Sequence, residues 1–136
     1  MILASTDGGT TWRQLSLTLP FPFAVAPGDS RVVYAWENLN GGGKLKQSRD
    51  GGSTWEVVQE RPPNRGSFFS LAVDARDPET IYLSNSGQIL RSHDGGRTLE
   101  VLDSSFGNAL LITDRTRPGL LFGQEVGGGM FVMPVE

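Results

Sequence analysis

Short stretches in which apolar and polar side chains alternate recur along the whole chain, and turn-forming residues separate them. Alternation with a period of two predicts β-strands with one buried face, and clusters of glycine, proline, asparagine and aspartate predict the turns. Proline cannot donate to a ladder, so residues 20–22 predict a break, and residues 38–43 predict a loop. The thirteen predicted strands are residues 1–5, 12–17, 23–26, 31–36, 44–48, 55–59, 67–73, 80–84, 88–92, 99–102, 109–113, 120–123 and 130–133.

A polar octet that contains glycine occurs three times, at residues 5–12, 48–55 and 92–99. Its copies start 43 and then 44 residues apart, the differences between positions 5, 48 and 92. A fixed period of this size indicates one repeated supersecondary unit, and a four-stranded propeller blade takes about 40–45 residues. We therefore predict an all-β partial β-propeller of four-stranded antiparallel blades, with the octet in the turn between the third and fourth strands.

The predicted blades are residues 1–19, 20–60, 61–103 and 104–136, of which only the second and third are complete. A glycine, Gly43 or Gly87, lies five residues before the octet serine in both complete blades. The same spacing from Gly129 predicts a degenerate octet that starts at Pro134 and has Glu136 as its acid. Propellers close with about four to eight blades. The chain is therefore a fragment, a unit completed by other copies, or an open array against a partner.

Each octet has the residue types of a rigid β-turn. The aspartate can accept hydrogen bonds from backbone N–H groups, and the glycines allow positive φ. We expect the hydroxyls to add bonds across the turn and the last residue to be buried against the neighbouring sheet. A calcium site is the alternative, but one acid per octet provides too few oxygen ligands. The residues assigned this structural role are Ser5, Asp7, Gly9, Thr11, Trp12, Ser48, Asp50, Gly52, Thr54, Trp55, Ser92, Asp94, Gly96, Thr98 and Leu99.

Composition excludes several classes of partner. With 12 basic and 15 acidic residues the net charge is −3, which indicates neither nucleic-acid nor anionic-membrane binding. The chain has no cysteine, so disulfides are excluded and the redox compartment stays open. No segment has the order of a signal peptide or the length of a membrane span. The localisation is therefore unknown, and a longer parent chain could be secreted or periplasmic.

The octets resemble the Asp-box, or bacterial neuraminidase repeat, whose pattern is S-x-D-x-G-x-T-W. Two copies match fully, and the third departs only at Leu99. Proteins with this repeat are β-propellers such as sialidases, xyloglucan-active glycoside hydrolases, sortilin-type receptors and photosystem II assembly factors. Residues 77–82 resemble a turn of the last two groups, which are closest in style. The resemblance implies that the octets are structural and lie on the face away from the ligand.

The residues that a glycosidase of these groups needs are not found together in the sequence. A sialidase needs an arginine triad and a tyrosine nucleophile, yet the arginines mostly flank turns, and Tyr34 and Tyr82 share one packing position in successive blades. Asp74 and Asp114 are the best carboxylate pair, but both fall in turns on the octet side. His93 is the only histidine, which gives no metal cluster. We predict no catalytic residues, no metal and no cofactor.

Binding residues concentrate in loops on a rigid scaffold, and here those loops are at the end opposite the octets. The candidates are Phe21, Trp36, Arg61, Asn64, Arg65 and Phe106, because aromatic residues and arginine contribute most at interfaces. We predict a non-catalytic module that binds protein or peptide, or carbohydrate, and that is a homo-oligomer or part of a longer chain. The alternative is a fragment of a sialidase-like or xyloglucanase-like glycoside hydrolase that lacks its catalytic residues.

Overall fold

The structure is a computed structural model that describes residues 2–15, 20–39, 42–60 and 68–135. Within these residues the chain forms thirteen strands and no helix, so none of the described segments is a helix able to cross a membrane. The strands are β1 (Ile2–Ala4), β2 (Arg13–Leu15), β3 (Pro20–Val25), β4 (Val33–Leu39), β5 (Gly42–Ser48), β6 (Glu56–Gln59), β7 (Ser70–Val73), β8 (Ile81–Asn85), β9 (Gln88–Ser92), β10 (Glu100–Asp103), β11 (Ala109–Thr113), β12 (Leu120–Glu125) and β13 (Met130–Pro134). The predicted all-β class is confirmed.

The strands form four antiparallel sheets in which consecutive strands are neighbours. Sheet 1 contains β1 and β2, sheet 2 contains β3 to β6, sheet 3 contains β7 to β10, and sheet 4 contains β11 to β13. Tight turns can join antiparallel strands directly, which explains this simple order. In the described residues, two sheets thus have the four strands of a predicted blade, and the two terminal sheets have fewer.

Successive sheets pack face to face and enclose the hydrophobic core in three layers. The layer between sheets 2 and 3 contains Tyr34 and Trp36, and the layer between sheets 3 and 4 contains Tyr82. A smaller layer between sheets 1 and 2 contains Ile2 and Leu15. We call the side of a sheet that faces the next sheet in the chain its forward face, and the opposite side its backward face. Side chains alternate between these two faces along each strand.

Strand pairing gives an exact correspondence between sheets 2, 3 and 4. Val25 pairs with Val33, Val73 with Ile81, and Thr113 with Leu121. In the next hairpin Val33 pairs with Ser48 and Ile81 with Ser92, the serines that open the second and third octets. Leu121 pairs with Met133, so Met133 and not Pro134 occupies the serine register in sheet 4.

The predicted octet at Pro134 is therefore out of register by one residue. The prediction assumed a constant distance between a loop glycine and the octet. Gly129, however, accepts the Glu125 N–H and so takes the position of Gln88, which pairs with Asn85. The last loop is therefore one residue longer than the loop before β9. The predicted acid, Glu136, lies outside the described residues.

Two segments predicted to be irregular belong to strands. β3 begins at Pro20, with an irregular register between Pro20 and Phe23 and a cis Phe21–Pro22 peptide bond. An edge strand with such an irregularity can include proline because its N–H positions are not all needed for pairing. The predicted loop at 38–43 is also shorter, since β4 extends to Leu39 and β5 starts at Gly42. Gly43 lies against the Trp36 indole, and a Cβ there would overlap the ring.

Candidate functional site

The second octet shows how the repeat closes its turn. The Ser48 hydroxyl donates to Asp50 Oδ1 over 2.8 Å and accepts the Gly52 N–H over 2.8 Å. The Thr54 N–H donates to Asp50 Oδ1 over 2.8 Å, and the Thr54 hydroxyl donates to Oδ2 over 2.6 Å. Both carboxylate oxygens are therefore engaged inside the turn.

The other two octets repeat these bonds almost unchanged. Asp7 accepts the Thr11 hydroxyl over 2.6 Å, and Asp94 accepts the Thr98 hydroxyl over 2.6 Å. The two glycines of each copy have φ between 69° and 92°, a left-handed conformation that glycine adopts at little steric cost. The hydrogen bonding and backbone predicted for the octets are thus found in all three copies.

These hydrogen bonds stabilise the ionised carboxylate of each octet. The hydroxyl of Thr11, followed by its backbone N–H, lowers the pKa of Asp7 to about 2. The matching threonine lowers the pKa of Asp50 to about 2. Burial acts to raise the pKa of Asp94, but the bonds from Thr98 and the octet serine outweigh it and lower this pKa to about 2 as well. Hydrogen bonds of this kind stabilise the charged form of a carboxylate, so it takes up a proton only at low pH.

The octets also form part of the contacts between neighbouring sheets. A Cβ on Gly52 would meet the Leu15 side chain of sheet 1, and a Cβ on Gly96 would overlap Leu45 of sheet 2. Gly9, in the first octet, has only its own octet residue Trp12 nearby. The second glycine of the octet is therefore needed for close packing in the second and third copies, and only for its backbone conformation in the first.

The last position of the octet does not behave as predicted in the first copy. Trp55 and Leu99 are partly buried and pack on hydrophobic clusters, whereas Trp12 is 61% exposed. The Trp12 indole N–H still donates to the Gly9 carbonyl over 2.9 Å, as that of Trp55 does to Gly52 over 3.0 Å. The expected burial of Trp12 is therefore wrong, since no sheet of the described chain covers it.

The turns between the first two strands of sheets 2 and 3 lie beside the octets. The Gly51 N–H donates to the Arg31 carbonyl over 2.8 Å, and the Gly95 N–H donates to the Glu79 carbonyl over 2.8 Å. Arg49 also forms an ion pair with Glu79 over 2.8 Å. Backbone hydrogen bonds and one ion pair therefore join these turns to the octets.

A buried tyrosine network connects this end to the core. The Tyr34 hydroxyl donates to the Pro78 carbonyl over 2.8 Å and accepts the Gln47 amide over 2.6 Å. Burial, and then the charge of Glu79, raise the pKa of Tyr34 above its ordinary value. Tyr82 occupies the same register in sheet 3, and burial followed by the Asp74 charge raises its pKa to about 12. Both tyrosines are fully buried, as predicted for packing residues.

The best predicted carboxylate pair is also engaged in turns. Asp74 Oδ1 accepts the backbone N–H groups of Arg76 and Asp77 over 2.8 and 3.1 Å. Asp114 accepts the backbone N–H and the hydroxyl of Thr116, each over 2.8 Å, and its pKa is lowered by these bonds. The carboxylates therefore serve as local acceptors in the folded chain.

His93 lies at the same end, exposed to solvent. Its Nδ1 is 3.0 Å from the Thr80 hydroxyl oxygen, and its Nε2 is 3.9 Å from a Glu100 carboxylate oxygen. Thr80 donates to Asp77 over 2.7 Å. In the part of the chain that the structure describes, no three histidine or acidic side chains are grouped so that they could hold a metal ion.

The structure describes three of the predicted binding residues, and these three lie at the end opposite the octets. Phe21 is 60% exposed, whereas Trp36 is buried with its ring edge-on to Phe68 at 4.7 Å. Phe106 is partly buried and stacks on Phe131 at 4.2 Å. Of these three aromatic residues, Phe21 presents most of its surface to solvent. The other candidates, Arg61, Asn64 and Arg65, lie outside the described residues.

Three further polar residues at this end, Asn38, Asn85 and Gln88, are not among the binding residues that the sequence predicts. Asn38 accepts the Trp36 indole N–H over 2.9 Å and donates to the Phe21 carbonyl over 3.2 Å, so it connects two predicted candidates. The side-chain carbonyls of Asn85 and Gln88 are buried and have no hydrogen-bond partner among the described residues. Such residues give no signal in a single sequence, because asparagine and glutamine are also ordinary residues of hairpin loops.

Comparison with known proteins yields structural matches only. No protein-family model matches this chain, and no curated protein matches it either. The GH74 enzyme of Niastella koreensis matches with 19% identity and a TM-score of 0.66, covering 87% of this chain and 17% of that chain. An ancestral GH74 enzyme matches with 17% identity and a TM-score of 0.64, covering 98% of this chain and 21% of that one. YCF48 bound to a D1 peptide matches with 18% identity and a TM-score of 0.53, covering 87% of this chain and 42% of that chain.

These matches concern the fold. The matched structures have propeller-type folds, and the chain is a partial, unclosed β-propeller built of antiparallel sheets. It spans about a fifth of each GH74 structure and less than half of the YCF48 chain.

Proposed function

We propose that the chain is a non-catalytic β-propeller module that binds an extended peptide or protein segment at the end opposite the octets. The observation that carries this proposal is a difference between the two ends of the sheets: the octet aspartates are engaged in their own turns, whereas an aromatic ring is exposed at the opposite end. At the octet end Asp7, Asp50 and Asp94 are each engaged within their own turns. At the other end Phe21 is 60% exposed, and its backbone is held in place by Asn38.

The exposed aromatic ring suits a peptide ligand for two reasons. A rigid aromatic side chain loses little conformational entropy on binding and buries a large apolar area. The neighbouring backbone of β3 is irregular between Pro20 and Phe23, and such irregular strands can leave N–H and C=O groups for a partner. YCF48, which has a similar fold, is bound to a D1 peptide in its structure, and this supports a peptide as the ligand class.

A peptide array followed by fluorescence anisotropy tests the proposal. Labelled peptides that bind the wild-type chain are measured again with Phe21→Ala and with Val57→Ala, whose parent residue is 37% exposed on β6 of the same sheet. We expect Phe21→Ala to weaken binding by about tenfold or more, the loss of an aromatic anchor, and Val57→Ala to leave it unchanged. Failure of every peptide to bind, or equal binding by both variants, contradicts the proposal.

The second candidate is a fragment of a glycoside hydrolase whose catalytic residues lie in other blades. The specific observation in its favour is the match to two GH74 enzymes, of which the chain covers only 17% and 21%. The two candidates differ in the protein that contains the chain, so sequencing the coding region on both sides of it separates them. An open reading frame that continues into further blades with catalytic carboxylates favours the enzyme fragment, and start and stop signals that directly flank the chain reject it.

Completion of the ring is part of the proposal. The terminal sheets have two and three strands in the described residues, and exposed strand edges tend to pair with other chains. We propose that the missing strands are provided by self-association or by further blades of a longer chain. Static light scattering distinguishes these routes, because the chain alone is multimeric in the first case and monomeric in the second.

A further inference from the structure

The forward face of sheet 4 is apolar and exposed. Residues that pair directly across antiparallel strands lie side by side on one face, and two such rows cross β11, β12 and β13. The rows are Ile112–Phe122–Val132 and Leu110–Gln124–Met130. Exposure reaches 56% for Ile112, 56% for Val132 and 83% for Met130. Neither row contains a charged side chain, and contiguous apolar surface of this kind is typical of an interaction site.

The first of these rows is covered in the two preceding sheets. The row equivalent to Ile112–Phe122–Val132 is Ala24–Tyr34–Gln47 in sheet 2 and Ala72–Tyr82–Arg91 in sheet 3. The next sheet covers each of these rows, so that Tyr34 and Tyr82 are 0% and 1% exposed. Phe122 therefore occupies the same position as Tyr34 and Tyr82, each of which is covered by the next sheet.

A matching surface is exposed at the other end of the chain. It consists of Leu3, Phe23 and Val25, which are 46%, 47% and 47% exposed and which we call the N-terminal surface. These residues line a cleft of about 470 Å³ between sheets 1 and 2. Their register partners in sheet 3 are Leu90, Leu71 and Val73, which sheet 2 covers and which are at most 6% exposed. The N-terminal surface thus combines the backward face of sheet 1 with the part of the backward face of sheet 2 that β1 and β2 leave uncovered.

We propose that the forward face of sheet 4 packs on the N-terminal surface of a second copy of the chain, and that two copies close head to tail. This inference rests on the self-association part of the proposed function and names its interface. Forward faces pack on backward faces at each sheet contact within the chain, so the two exposed faces continue an existing interface. Because Phe23 and Val25 belong to sheet 2, sheet 4 of one copy then lies beside the two strands of sheet 1 of the other and shares their layer. Each copy thus adds three layers, and the pair has six, which lies within the range of about four to eight blades in closed propellers.

A head-to-tail contact joins two different surfaces, unlike a contact of one surface with itself. Three Val→Asp variants test this distinction with the same chemical change. Val132→Asp alters the forward face of sheet 4, Val25→Asp alters the N-terminal surface, and Val101→Asp alters β10, where the valine is 48% exposed and belongs to neither surface. All three sites are exposed, where substitutions usually change stability by about 0.5 kcal/mol or less. Circular dichroism checks that each variant is folded.

Sedimentation velocity at micromolar concentration gives the first result. We expect the wild-type chain and Val101→Asp to have twice the 14.7 kDa chain mass. We expect Val132→Asp and Val25→Asp to be monomeric, with the dissociation constant raised at least about tenfold because each would bury an unpaired charge. A folded wild-type monomer at this concentration overturns the inference, and so does a Val25→Asp variant that pairs as well as the wild-type chain.

Mixing the two monomeric variants gives the second result. In a head-to-tail pair of Val132→Asp with Val25→Asp, one interface is fully wild-type and the other has both changes. We therefore expect partial recovery of the pair in the mixture, and no recovery when either variant is alone. Absence of recovery overturns the head-to-tail arrangement. The peptide-binding assay with Phe21→Ala is read separately, so loss of that function and loss of this interface remain distinguishable.

Discussion

The middle of the chain and its two ends use the same register positions in opposite ways. Leu90 in sheet 3 is fully buried, whereas Leu3 at the same register in sheet 1 is 46% exposed. Ile89 is 0% exposed, and Met130 at the same register in sheet 4 is 83% exposed. The difference lies in the presence of a neighbouring sheet and not in the local sequence. The burial of a residue in a propeller is therefore decided by its sheet's neighbours.

The largest expected effect comes from removing one side chain at this pair of positions. Leu90→Ala leaves a cavity between sheets 2 and 3 and should lower the free energy of unfolding by about 2–5 kcal/mol. Leu3→Ala should change it by about 0.5 kcal/mol or less when the chain is dilute. Urea unfolding followed by tryptophan fluorescence measures both. Equal losses in the two variants would contradict the difference between middle and end.

The second octet glycine offers the next comparison. Alanine at Gly9 or Gly96 must adopt a positive φ, of 91° and 92° respectively, which costs about 1–2 kcal/mol. At Gly96 the new Cβ also overlaps Leu45, and overpacking adds about 1–3 kcal/mol. We expect Gly96→Ala to be the less stable variant in thermal unfolding. Indistinguishable melting temperatures would show that the sheets can separate there without cost.

Acid should destabilise all three octets, the one at the N-terminal end as well as the two in the middle. The folded pKa of Asp50 is about 2, below its ordinary value of 3.8, so the unfolded chain binds more protons between these values. Stability is therefore fully present above about pH 4 and falls as the pH is lowered from about 4 to about 2. Across this pH range we expect the urea midpoint of Asp50→Asn to fall less than that of the wild-type chain. Parallel curves for wild type and variant would rule out the proposed linkage.

The smallest effect is expected from an exposed ion pair between successive octet regions. Arg97 lies 3.5 Å from Glu56, and both side chains are largely exposed. Such pairs contribute about 0–1 kcal/mol and are screened by salt. Arg97→Gln should therefore lower stability only slightly, and less so in high salt, as measured by urea unfolding. A large loss that salt does not reduce would indicate a packing role for this side chain.

The sequence predicts the repeating part of this protein well because the period is encoded locally. The strands, the octet turns and the buried pair Tyr34 and Tyr82 all follow from alternation and from residue types in register. Two features cannot be predicted from the local sequence. Trp12 has the same local sequence as Trp55, yet its exposure depends on the absence of a covering sheet. The register of Met133 depends on a loop length that no local pattern specifies.

The candidate site was less predictable for a related reason. Trp36 and Phe21 are both aromatic residues near hairpin ends, but one is 1% and the other 60% exposed. Trp36 is buried because Phe68 packs edge-on against its ring and Gly43 leaves room for it. Neither of these residues is a neighbour of Trp36 in the sequence. Asn38, which hydrogen bonds to both segments, looks like an ordinary loop residue. Aromatic composition alone therefore indicates candidates but not which of them face solvent.

Thiol labelling can show whether the faces of the terminal sheets expose the positions that the middle sheets bury. The chain has no cysteine of its own, so Met130→Cys and Ile89→Cys each introduce one thiol at the same register. In dilute solution we expect rapid reaction of the first thiol with a disulfide reagent and reaction of the second only on unfolding. At micromolar concentration the first thiol should become protected. Equal labelling rates for the two thiols in the folded, dilute chain would show that a neighbouring sheet does not decide burial at this register.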